Sequence, residues 1–94
     1  MTLDRSSALQ LGAEFLAEDV KTWTHPSEVR IIPEASFGDA NLLIIPYDTT
    51  EFLDRGISSA SLMGNLPISV NLETGECDFI DMLEVLEYIN RGLM

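Results

Sequence analysis

The sequence predicts a single α+β domain: an antiparallel four-stranded sheet with an N-terminal and a C-terminal helix, both helices on one face. Three observations predict it. Apolar residues recur at helical spacing near both ends of the chain, whereas the middle holds short β-branched or alternating stretches. Those stretches follow one another without the strand–helix–strand rhythm of a parallel sheet. Finally, 94 residues supply one core and not two.

The N-terminal helix is expected from about Asp4 to Lys21. Ala8, Leu11, Phe15 and Leu16 form its stripe, with Glu14, Glu18 and Asp19 outside it. Thr2, Asp4 and Ser6 are candidate N-caps. Thr24-His25-Pro26-Ser27 ends the helix, because proline disfavours the α region for the residue before it. Trp23 stands at this break. Its indole either closes the open end of a core or anchors a partner.

Residues 28–32 are short and β-branched and stop at Pro33, which suits a strand. Residues 35–39 read as a turn. Residues 41–47 are the most apolar stretch and read as a central strand covered on at least one face. A connection of about twenty residues follows, from Asp48 to Leu66, with one helical turn over residues 50–54. Connections this long in small domains are functional or mobile. Residues 67–72 alternate, putting Ile68, Val70 and Leu72 on one face. Residues 73–76 form a tight connection with Gly75 at positive φ, and residues 77–80 return beside the preceding strand. In that return, Cys77 and Phe79 share one face and Asp78 and Ile80 the other. The last helix, residues 81–91, has Leu83, Leu86 and Ile89 near helical spacing. Asp81 is its N-cap, Glu84 follows three residues on, and Arg91 and Gly92 close it.

Charge is the dominant compositional feature. Sixteen Asp and Glu stand against five Lys and Arg, a net charge of −11 and a pI near 4.1. Phosphate backbones and anionic lipid repel such a chain, so neither nucleic acid nor membrane is an expected partner. A basic protein surface is the complement. Between Glu73 and Tyr88 there are six acids and no base. The candidate partner-binding residues are Asp48, Glu51 and Asp54 in the long connection, with Glu76, Asp78, Asp81 and Glu84 further on. The alternative is that these acids only keep the chain soluble and monomeric.

Catalytic chemistry finds little material. His25 is the only histidine and Cys77 the only cysteine. Cys77 lies between Glu76 and Asp78, where a thiolate is disfavoured, so a buried structural thiol is expected. One His and one Cys give no zinc spacing, and no EF-hand or phosphate loop is present. No catalytic residue, cofactor or metal is expected. A lone cysteine, the absence of a basic-then-apolar leader and a longest apolar run of only Leu42-Leu43-Ile44-Ile45 suggest a cytoplasmic chain.

Four short motifs occur in order: Glu51-Phe52-Leu53-Asp54-Arg55-Gly56, then Met63-Gly64-Asn65-Leu66-Pro67, then Glu73-Thr74-Gly75-Glu76, then Leu83-Glu84-Val85-Leu86-Glu87-Tyr88-Ile89. Together they resemble the YrhB-domain family, also described as immunity protein 35. The likeness runs from about Leu42 to Ile89 and takes in the N-terminal helix in outline. One departure is the strand at residues 42–45, which lacks the family's aromatic; Tyr47 is the nearest substitute. The resemblance implies turns at Gly56, Gly64, Asn65, Pro67 and Gly75. It also implies a small bacterial cytoplasmic protein without enzyme activity that neutralises a cognate polymorphic toxin. The alternative it implies is a small chaperone-like or adaptor protein that stabilises clients.

Overall fold

Four consecutive apolar side chains cannot share one side of a strand, because successive side chains point to opposite faces. Leu42–Ile45 therefore needs cover on both. The computed structural model describes residues 2–22, 28–56 and 66–94, and in it both faces are covered. The described chain runs α1 (Arg5–Val20), β1 (Val29–Ile31), a 3-10 turn (Pro33–Ala35), β2 (Phe37–Asp39), β3 (Leu42–Ile45), β4 (Tyr47–Thr49), α2 (Thr50–Arg55), β5 (Ile68–Asn71), β6 (Cys77–Phe79) and α3 (Met82–Asn90). Trp23, the break at residues 24–27, and Met63, Gly64 and Asn65 lie outside the described residues.

The expected antiparallel four-stranded sheet is present, in the order β2-β3-β5-β6. Register pairs Ile45 with Ile68, Leu43 with Val70, and Val70 with Cys77. These side chains face α1, where Ala8 and Leu16 join Leu43, Ile45, Tyr47, Ile68 and Val70 in the larger core. Ile44 points the other way and packs with Ile80 and Tyr88, flanked by Phe37, Leu42 and Val85. The two terminal helices thus lie on opposite faces, not on one. The alternation within residues 42–45 is the reason.

Two further expectations change. Residues 28–32 do not enter the four-stranded sheet; β1 pairs instead with β4 in a separate two-stranded ribbon, Val29 opposite Thr49 and Ile31 opposite Tyr47. Pro46 is the cause. It has no N–H to continue the β3 ladder, and its carbonyl accepts from the Ile32 N–H at 2.8 Å, which steers the chain into the ribbon. Residues 37–39, read as a turn, are the edge strand β2. The turn is one step later, at Ala40-Asn41, where Ala40 takes φ +52° without a glycine to signal it.

Residues 41–47, expected as one strand, divide at Pro46 into β3 and β4, whereas the caps, glycine turns and hairpin agree with the structure. Asp4 caps α1 by accepting from the Ser7 N–H, and Asp81 caps α3 by accepting from the Glu84 N–H, at 2.7 and 2.8 Å. Residues 50–55 are helical, and Gly56 and Gly75 stand at φ +70° and +79°. Ile68 and Val70 are fully buried, with Leu72 packed beside them.

Gly12 is a position where size decides. It is buried with Ala8 and Leu16 on the inner line of α1, and a Cβ there would lie 2.6 Å from Ile45 Cδ1. Ile45 is itself fully buried, so it cannot swing clear. Gly12→Ala should therefore destabilise modestly, because a helix-propensity gain of about 1 kcal/mol does not cover an overpacking cost of about 1–3 kcal/mol at that contact. Gly12→Leu should cost about 2–3 kcal/mol in urea unfolding. Equal midpoints for Gly12→Leu and the parent would show that α1 sits further from β3.

Candidate functional site

All sixteen acids and all five Lys and Arg fall among the described residues. Three ion pairs are formed among those residues: Lys21–Glu18, Arg30–Asp54 and Arg91–Asp39, at 2.9, 2.6 and 3.6 Å. Three of the few cations are thus already committed, and the acidic excess faces solvent. Surface ion pairs of this kind add little stability. What matters is the charge left over.

The seven expected partner-binding residues separate into distinct settings. Asp48 is 8% exposed within β4, opposite Arg30, and its Oδ1 accepts from the Thr49 N–H at 2.7 Å. It is part of the interior. Glu51 is exposed in the first turn of α2. Asp54 closes that helix and grips Arg30 with Nη2–Oδ1 at 2.6 Å and Nε–Oδ1 at 3.2 Å. This hydrogen bond holds the Asp54 carboxyl below its ordinary range and raises Arg30. Glu76 is exposed at the end of the hairpin turn. Asp78 is exposed at the centre of β6, Asp81 caps α3, and Glu84 lies in the first turn of α3. Asp78, Asp81, Glu84 and Glu87 therefore follow one another along β6 and α3.

Beside these acids the structure reveals a feature that sequence reading did not assign. Leu83, Leu86 and Ile89, read as the stripe of the last helix, are 77%, 49% and 49% exposed, and Met82 is 48% exposed. The residues that α3 buries are Tyr88 and, in part, Val85. Tyr88 sets this rotation. Its hydroxyl donates to Asp39 Oδ2 at 2.9 Å, its ring meets Phe37 edge-on at 5.0 Å, and Arg91 lies over it at 5.8 Å. The signal was present: six of the nine α3 residues are apolar, more than one seam can bury.

Cys77 is half-buried on the α1 side, its thiol oriented to donate to the Gly75 carbonyl at 3.6 Å. Burial pushes the thiol up, and Glu14 on α1 adds to it. The chain neighbours Glu76 and Asp78 are not the cause. An apolar groove of about 370 Å³ lies between α1 and β1, lined by Leu16, Val20, Val29 and Ile31 with Glu28 and Arg30 beside them. His25 lies outside the described residues. Among the described residues no three His, Cys, Asp or Glu gather as a metal ion would need, and no helix is long and apolar enough to cross a membrane.

Among known proteins, no family model, no curated protein and no solved structure matches this chain.

Two outcomes follow from this geometry. Burial and the Asp39 hydrogen bond push the Tyr88 hydroxyl from 10.0 up to about 12. A raised folded value favours the neutral phenol, so its stabilisation is complete below pH 10 and lost between pH 10 and about 12. Alkaline unfolding over that window should be measurably shallower in Tyr88→Phe; identical pH profiles would show that Tyr88 is not coupled to folding. Cys77 should alkylate slowly at neutral pH, at a rate that rises when the chain is unfolded in urea. A folded-state rate equal to that of a free thiol would contradict its placement.

Proposed function

We propose that this chain is a non-enzymatic bacterial immunity protein that binds and neutralises a cognate toxin in the cytoplasm. The partner surface is basic, and the acidic run along β6 and α3 receives it. The observation that carries this reading is the acidic excess of a chain at −11, nearly all of it exposed, that remains after three ion pairs have taken up Lys21, Arg30 and Arg91. Exposed excess charge of one sign steers a partner of the other sign and speeds encounter. The resemblance of residues 42–89 to the immunity protein 35 family supports the toxin as that partner. Asp78, Asp81 and Glu84 are the central candidates. Glu76 and Glu51 are exposed and available, while Asp54 acts only if it leaves Arg30, and buried Asp48 serves as a support.

A second reading has its own observation. The exposed Met82, Leu83, Leu86 and Ile89 would suit a chaperone-like protein that holds apolar client surface. The two differ in selectivity. An immunity protein protects against one toxin, whereas a chaperone suppresses aggregation of unrelated proteins.

The test begins with the protein encoded beside this gene. Its expression should arrest growth, and co-expression of this chain should restore it. Rescue by an unrelated small acidic protein, or no rescue, would sink the immunity reading. Purified components then give the mechanism. Asp78→Lys, Asp81→Asn and Glu84→Lys together should slow association about tenfold or more at low salt, with Asn chosen to preserve the α3 cap. The difference should shrink toward 0.15 M salt, where the screening length is about 8 Å. Association that ignores both salt and the triple variant would leave the acids with a solubility role.

A further inference from the structure

The α3 residues sort around the helix axis by about 100° per residue into three arcs. Val85 and Tyr88 face the sheet. Glu84, Glu87 and Arg91 form a charged arc. Between them Ile89, Met82, Leu86 and Leu83 span roughly 120° of exposed, mainly apolar surface, which Asn90 interrupts in the last turn. That width equals what a surface helix ordinarily devotes to its own core. The sheet takes one apolar face of α3 and leaves a second of full size.

What fits that second face follows from its rim. Glu87 lies one turn from Leu83 on the same side, Glu84 stands farther round beside Tyr88, and neither is in an ion pair among the described residues. Arg91, the one cation of the helix, is turned to Asp39 and the Tyr88 ring. An apolar stripe with an uncompensated acidic border complements an amphipathic segment bordered by Lys or Arg. A second copy of this chain is a poor match. Two α3 helices meeting at Leu86 would bring Glu87 against its counterpart, between chains that each carry −11. An anionic lipid surface meets the same repulsion.

We infer that α3 is the docking helix for the partner. A basic amphipathic segment of the partner protein lays its apolar side on Met82, Leu83, Leu86 and Ile89, and its Lys or Arg side chains reach Glu87 at the border. This rests on the immunity reading only in taking the partner to be a basic protein. It adds that apolar contact at α3, and not charge alone, holds the complex. Pairing of this kind is read by anchors at helical spacing.

The probe is a synthetic helical peptide of Leu and Lys with a continuous apolar face, titrated into the full chain by calorimetry. Two controls have the same composition in a scrambled order, and Glu in place of Lys. The amphipathic Lys peptide should bind, and the scrambled one at least about tenfold more weakly. Leu83→Asn with Leu86→Asn should weaken binding by a similar factor, because both side chains are exposed and Tyr88 and Asp81 still hold the helix. Should that variant lose its fold, amide-shift mapping on the parent chain decides instead, and shifts confined to residues 81–91 are the expected result. Equal binding of ordered and scrambled Lys peptides, untouched by the double variant, overturns the docking helix while leaving an acidic receptor surface standing. No binding of any Lys peptide at low salt overturns both. Concentration-dependent dimerisation abolished by Leu83→Asn overturns it in favour of a second copy, and equal binding to neutral phosphatidylcholine vesicles overturns it in favour of lipid.

Discussion

The burial of β3 on both faces is the constraint from which the rest of the architecture follows. Leu43 and Ile45 draw α1 to one side of the sheet, and Ile44 needs a cover on the other. The second face is poorer in apolar material. Opposite Ile44 the register brings Ser69 and then Asp78, so α3 finds its footing on Ile44 with Phe37 and Leu42 of β2–β3 and on Ile80 just past β6. The helix therefore docks through Tyr88 and Val85 alone, and its remaining apolar residues stay in solvent. The unusual exposure of α3 is thus a result of the sheet's asymmetry.

Local structure was readable wherever a residue acts on its immediate neighbours. Asp4 and Asp81 cap helices because a short carboxylate reaches an N–H three residues on. Gly75 turns the hairpin because the backbone there needs a positive φ. Failures arose where tertiary partners decide. Gly38 and Asp39 are turn-favouring residues yet form an edge strand, because Phe37 opposite Ile44 buries more than a loop would. Pro46 lay inside the stretch read as one strand, and nothing local says that the chain divides there and pairs beyond it with residues 29–31.

The candidate site was legible as a charge balance and not as a surface. Counting acids could not reveal that Asp54 is held by Arg30 across 24 residues, or that Asp48 lies inside the fold. Nor could it separate the two duties of Asp81, which carries charge and also anchors the start of α3. The apolar arc of α3 was hidden for a different reason. Helical spacing identifies an apolar stripe, but which part of a wide stripe meets the sheet depends on one long-range bond, from Tyr88 to Asp39.

The sheet's two open margins have a consequence for the protein in concentrated solution. Both edge strands, β2 and β6, are only three residues long, and Asp78 occupies the middle of β6. Growth of a fibril by strand addition would have to stack that carboxylate against its own image at intervals of about 4.8 Å. Short margins and a repeated like charge leave such a ribbon nowhere to start. The same acids that would attract a partner also keep copies of the chain from zipping together.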